Sequence, residues 1–133
     1  PQGASISFFA GEKPLSYQIL KRDQKNNLAL VKLTASNSAA ASFADFDKLE
    51  LGERVFLISF SPSLKSDLKN IVNEGIVRNF NEDLITTNIF EEKTLKGSSL
   101  FNIKGELLGL NMVGLGGKVS AIPVNRIKEF VGF

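Results

Sequence analysis

The sequence predicts an all-β chain in two lobes, the second of them ending in one helix. Short runs rich in Ile, Val, Leu and Phe recur between turn residues at the spacing of a sandwich or barrel. The chain has 133 residues, 43% hydrophobic and 23% charged, enough to bury one or two small cores without disulfides or metals. One stretch, residues 34–46, repeats Ser and Ala without any period and reads as a linker. It divides the chain into a first lobe with its linker, 1–48, and a second lobe, 49–133.

Within the first lobe, runs at 5–9 and 15–21 flank Gly11-Glu12-Lys13-Pro14, a hairpin signal. Residues 27–33 form a nearly unbroken apolar run, which predicts a strand buried on both faces. Beyond the linker, runs at 54–60, 71–80, 84–90, 99–103, 106–113 and 118–122 predict an antiparallel meander. Lys104-Gly105 and Gly114-Leu115-Gly116-Gly117 are its tight turns. After Pro123, Val124, Ile127 and Val131 recur at helical spacing. The eleven phenylalanines are spread through the strand runs and read as core, not as a platform for stacking bases.

Composition excludes several chemistries. With no cysteine, the chain has no disulfide framework, thiol nucleophile or zinc–thiolate site. With no histidine, it lacks the commonest general base near neutral pH and the commonest transition-metal ligand. The carboxylate pairs Glu91-Glu92 and Asp45-Asp47 have no third ligand near them in sequence, so no metal and no cofactor is expected. The net charge is +2, and lysines alternate with acids. The one cluster, Lys21 to Lys25, has no interleaved aromatics, so nucleic acid is not an expected partner. No apolar run has the length of a membrane span. Pro1-Gln2-Gly3 is neither a signal peptide nor an initiator methionine, which suggests a processed or excised piece. Gly114 to Ser120 lacks the spacing of a phosphate loop.

A set of motifs then adds to this reading. In the second lobe these are Leu51-Gly52-Glu53-Arg54-Val55, Val72-Asn73-Glu74-Gly75-Ile76-Val77, Ile85-Thr86-Thr87-Asn88, the run from Ser98 to Leu110, and Ala121-Ile122-Pro123. In order and spacing they resemble the C-terminal barrel of trypsin-like serine proteases of the HtrA (DegP) type. Asn27-Leu28-Ala29-Leu30-Val31-Lys32-Leu33 resembles the family strand that carries the triad aspartate. The resemblance implies a trypsin/chymotrypsin-like double β-barrel, with a reduced or truncated N-terminal barrel, a six-stranded C-terminal barrel and a C-terminal helix.

Such a protease needs a serine nucleophile, an imidazole to take its proton, a carboxylate to orient the imidazole, and N–H groups aimed at the oxyanion. The imidazole is missing, and the resemblance implies that the chain begins after the segment that bears it. Asn27 occupies the aspartate position. The nucleophile loop falls without gaps on residues 94–102, which puts Lys96 at the serine and Thr94 where the family has the oxyanion-loop glycine. Thr94, Leu95 and Gly97 are thus a degenerate oxyanion loop, and Phe90 stands where the family has a small alanine near the specificity pocket, a ring able to fill that pocket from within. A Ser–Lys dyad of Lys93 or Lys96 with Ser98 or Ser99 is disfavoured, because neighbouring residues on a strand point to opposite faces.

The resemblance therefore implies a catalytically inactive relative that binds or scaffolds protein, with Phe90, Thr94, Lys96 and Ser98 as candidate binding residues and no catalytic residue. Its expected partner is a protein or peptide, held by strand addition. The alternative is a fragment of an HtrA-like endopeptidase whose upstream segment supplies the histidine. About three recognisable strands cannot close a first barrel, so an upstream segment or a partner chain is expected to complete it. Periplasm or cell envelope is the compartment the resemblance implies.

Overall fold

The computed structural model describes residues 6–10, 13–34, 39–62 and 68–133, and the chain divides into two units, Pro1–Ala40 and Ala41–Phe133. Residues 41–48, expected with the first lobe, lie in the second unit. The reason is a short parallel bridge from Phe43 to Leu107, with Leu107 N–H donating to Ser42 C=O (2.7 Å) and Ala44 N–H to Leu107 C=O (2.9 Å). Ala44 is buried in the second unit's core, and a single 3-10 turn, Phe46–Lys48, follows. The Ser/Ala stretch has no period, yet its last residues are anchored by backbone bonds that a periodicity search cannot see.

The first unit holds two small sheets. β1 (Phe8–Ala10) pairs antiparallel with β2 (Lys13–Leu15), setting Phe8 opposite Leu15. Ser5 and the Gly11-Glu12 turn of the expected hairpin lie outside the described residues. The predicted run 15–21 is broken at Ser16, after which β3 (Tyr17–Asp23) pairs with β4 (Leu28–Leu33). β4 is not buried on both faces as expected: Ala29, Lys32 and Leu33 are exposed. Pairing in a two-stranded sheet covers one edge of each strand and neither of its faces, so an apolar run alone does not make a strand central. Among the described residues this unit forms no closed barrel.

The second unit is a closed antiparallel barrel of six strands: β5 (Arg54–Pro62), β6 (Leu68–Asn81), β7 (Leu84–Phe90), β8 (Ser99–Asn102), β9 (Leu107–Val113) and β10 (Lys118–Pro123). The order around the barrel is β10-β7-β6-β5-β8-β9, with β10 closing on β7. This corrects the expected meander. β5, β6 and β7 follow one another as hairpins, but β8 pairs with β5 and not with β7. The eight-residue connection 91–98 is too long for a tight hairpin and carries the chain to the other side of the barrel.

Alternation along each strand builds the core. Val55 and Leu57, Ile85 and Ile89, Leu100, Val113, Val119 and Ala121 point inward and are buried, while their neighbours face out. Phe46 packs edge-on to Phe80, ring centroids 5.9 Å apart, over this core. The phenylalanines are not all core, however, since Phe9, Phe60, Phe90 and Phe133 are exposed. α1 (Val124–Val131) starts directly after β10 and buries Val124 and Ile127. Arg126 ties it to the β6–β7 turn through Asp83 and to Glu129 on its own face. Among the described residues no helix is long and apolar enough to cross a membrane.

Candidate functional site

The connection between β7 and β8 carries most of the residues that sequence singles out, and its path follows from local bonds. At its start Glu91 N–H donates to Gly117 C=O (2.8 Å), tying it to the β9–β10 turn. Gly117 has φ 82°, and a Cβ there would sit 2.8 Å from Glu91 C=O, so this junction admits only glycine. Lys93–Leu95 then form one 3-10 turn whose single buried side chain is Leu95. At its end Gly97 (φ 85°) donates to Asn111 C=O (2.8 Å), while Asn111 N–H donates to Ser98 C=O (2.8 Å), which starts the β8–β9 pairing.

Within this loop three N–H groups are turned back onto the loop itself. Leu95 N–H donates to Glu92 C=O (3.0 Å), Lys96 N–H to Lys93 C=O (3.3 Å) and Ser98 N–H to Leu95 C=O (3.2 Å). An oxyanion hole requires donors that are free and convergent on one point outside the loop. The donor at the nucleophile position, Lys96 N–H, instead closes the 3-10 turn. The side chains of Lys93, Thr94 and Lys96 are exposed.

Ser98 is not a free hydroxyl. It is 8% exposed, and its Oγ accepts from Asn111 Nδ2 (3.1 Å), which braces the loop to β9. Phe90 also departs from expectation. On β7, Ile85, Thr87 and Ile89 point inward, so Phe90 points outward and is 62% exposed, and fills no pocket from within. Asn27 belongs to the first unit, where it stands just before β4 and not at a strand start, in a left-handed conformation with φ 54°. Asparagine tolerates that region, and the turn explains the residue without any triad role. The structure thus groups Thr94, Leu95, Lys96, Gly97 and Ser98 on one connection of the second unit, with Phe90 the last residue of β7 before it, while Asn27 belongs to the other unit.

Sequence reading passed over four polar residues that hold this region. Thr87 is fully buried: its Oγ1 donates to Val119 C=O (2.9 Å) and accepts from Ile89 N–H (3.1 Å). These bonds satisfy groups left by the irregular β7–β10 register between Lys118 and Ser120. Asn88 Oδ1 accepts Ile76 N–H (2.7 Å), Asn73 Nδ2 donates to Glu91 Oε1 (2.7 Å), and Asn111 braces Ser98. The available signal for Thr87, Asn73 and Asn111 was parity: each is a polar residue at an inward position of a strand, where a polar group must find a partner.

A cleft of 410 Å³ lies elsewhere in the second unit, lined among others by Asp45, Lys48, Glu53, Arg54 and Lys104. None of the sequence-derived site residues lines it. Lys48 bonds Asp45 at 2.9 Å and holds that carboxyl below its usual range. Among the described residues no three His, Cys, Asp or Glu side chains are placed to hold a metal ion.

Comparison with known proteins gives a consistent result. The family model for a trypsin-like peptidase domain matches residues 2–110. A protein named as a probable periplasmic serine endoprotease, DegP-like, from Buchnera aphidicola subsp. Schizaphis graminum is 30% identical over 123 residues, 84% of this chain and 26% of that protein. A serine protease HtrA-like protein of Staphylococcus aureus is 27% identical over 146 aligned positions, 92% of this chain and 19% of the relative. A probable serine protease do-like protein of Buchnera aphidicola subsp. Acyrthosiphon pisum is 28% identical over 124 residues. The chain spans about a fifth to a quarter of the length of these relatives.

Proposed function

The chain belongs to the trypsin-like peptidase family, and we propose that within it this domain is a non-catalytic module that holds extended polypeptide without cutting it. One observation supports this above the others. At the position that resemblance gives to the nucleophile stands an exposed lysine, Lys96, whose own N–H is folded back onto Lys93 C=O at 3.3 Å. Both halves matter chemically. Acyl transfer to a lysine amine would yield an amide, as resistant to water as the bond it replaced, so there would be no turnover. With that N–H engaged, a tetrahedral intermediate would also lose a donor commonly worth about 2.7–4 kcal/mol of transition-state stabilisation. Asn27, at the position of the orienting carboxylate, cannot compensate an imidazolium supplied from elsewhere.

A serine-reactive fluorophosphonate probe applied to the full-length protein tests the reading. No labelling at this domain is expected, and the Lys96→Ala variant should be equally unlabelled. Stoichiometric labelling of a serine within residues 91–103 would overturn the proposal and favour a fragment of an active endopeptidase completed from outside these residues.

A further inference from the structure

The ladder between β6 and β7 stops well before either strand does. Pairing ends at Val77 opposite Thr87, although β6 begins at Leu68 and β7 continues to Phe90. Two asparagines terminate it from opposite sides. Asn88 Oδ1 takes the N–H of Ile76 at 2.7 Å, and Asn73 Nδ2 reaches Glu91 Oε1 at 2.7 Å and the C=O of Phe90 at 3.5 Å. Gly75 fits here because a Cβ would strike Asn88 Oδ1 and come within 2.6 Å of Ile89 Cγ1. N-terminal to this point β6 has β5 as its only strand neighbour among the described residues.

The alternation of the ladder says which backbone groups turn away from β5. Val77 N–H donates to Glu53 C=O and its C=O accepts from Gly52 N–H, so Val77 faces β5. Backbone groups alternate along an antiparallel strand. Asn70, Val72 and Glu74 therefore turn their N–H and C=O groups away from β5. Their side chains are exposed, Val72 at 62%, and no proline interrupts them. On the same face Ile58 stands opposite Val72 and Phe60 opposite Asn70, both exposed. An edge of this kind, with Val72 exposed between Asn70 and Glu74 and with Ile58 and Phe60 exposed beside it, is one that proteins ordinarily protect.

We propose that this edge of β6 takes an extended polypeptide segment as an added strand, apolar at alternate positions so that one of its faces continues the Ile58–Val72 stripe. The proposal rests on the reading that the domain holds polypeptide, and it places the holding on β6 and not on the 91–98 connection. N–H and C=O groups at strand spacing, with no strand partner among the described residues, are matched by another strand, which fixes the backbone form of the occupant. The apolar neighbours fix the character of its side chains.

The substitution Val72→Pro tests it, because it deletes one outward N–H and no bond of the β5–β6 ladder. The probe is a fluorescein-labelled eight-residue peptide of alternating Val and Thr, read by anisotropy on the full chain. We expect Val72→Pro to weaken binding about tenfold or more, and Val72→Thr, which keeps the N–H, to weaken it less. On the unaltered protein, N-methylation of the peptide at alternate residues should abolish binding in one parity and spare it in the other, a readout that does not depend on any variant folding. Equal binding by folded Val72→Pro, or indifference to methylation parity, overturns the β6 site and leaves the proposed function standing. Fluorophosphonate labelling does the reverse. Self-association in sedimentation that Val72→Pro abolishes and the peptide fails to displace would give this edge to a second copy, and also overturns the proposal.

Discussion

At the scale of single residues, the barrel depends on polar side chains placed where alternation calls for apolar ones. Thr87 is the clearest case. Its hydroxyl answers two backbone groups at once, Val119 C=O and Ile89 N–H, at a point where β7 and β10 fall out of register. Thr87→Val keeps the shape and removes the hydroxyl, leaving both groups unpaired in the core. Such a loss costs about 1–3 kcal/mol. Denaturant unfolding should show that loss as a lower midpoint at unchanged slope, and a shift of less than a few tenths would mean that the groups find other partners. The family-like run Ile85-Thr86-Thr87-Asn88 was visible in the sequence, but not why its polar members are there. Thr87 and Asn88 satisfy groups that exist only once the ladders of β6, β7 and β10 are irregular, and irregularity of register leaves no periodic trace. Lys96 is the opposite case: its place in the loop was legible from a gap-free run of motif residues, whereas the folding back of its N–H depends on a 3-10 turn that no residue type announces.

At the scale of elements, strands were easier to read than the connections that give them order. β7 was found to the residue, and β5, β6, β8, β9 and β10 to within a few residues, because each is a run of alternating or apolar residues bounded by turn formers. The pairing of β8 with β5 was not legible, since nothing within residues 91–98 encodes which strand waits on the far side. Turns closed by side chains are more explicit. Between β3 and β4, Asp23 accepts the N–H groups of Lys25 (2.9 Å) and Asn26 (3.1 Å) and the Asn26 amide (2.6 Å). The Asn26 backbone bond, followed by its side-chain bond, holds the Asp23 carboxyl below the usual aspartate range. Because the folded group titrates lower than the unfolded one, this turn's contribution is present above the ordinary aspartate pKa and is lost as pH falls through the lowered folded value. A carboxyl-carbon NMR titration should place the Asp23 midpoint below that of the same residue in a short peptide. Coincident midpoints would show that the carboxylate does not hold the turn.

At the scale of the whole molecule, the two units differ in what each can bury. The first comprises two two-stranded sheets among its described residues, β1 with β2 and β3 with β4, and its strands keep most side chains exposed. An isolated two-stranded hairpin is at best marginally stable in water. The second has a closed barrel with no terminal strand, and a core that runs from Ala44 through Leu57, Ile85 and Leu100 to Val119 and Ala121. It also includes the 41–48 segment, which sequence composition assigned to the linker and which backbone bonds to Leu107 attach to β9. The fragment 41–133 should therefore fold by itself, with dispersed amide resonances and one cooperative unfolding transition, whereas 1–40 alone should give the circular dichroism of an unordered chain. The choice of boundary is part of the test. A fragment beginning at 49 lacks Ala44 and the two bonds between 42–44 and Leu107, and should unfold at lower temperature than 41–133. Equal stability of the two fragments would return residues 41–48 to the linker, and failure of 41–133 to fold would mean that the barrel's own core is not sufficient.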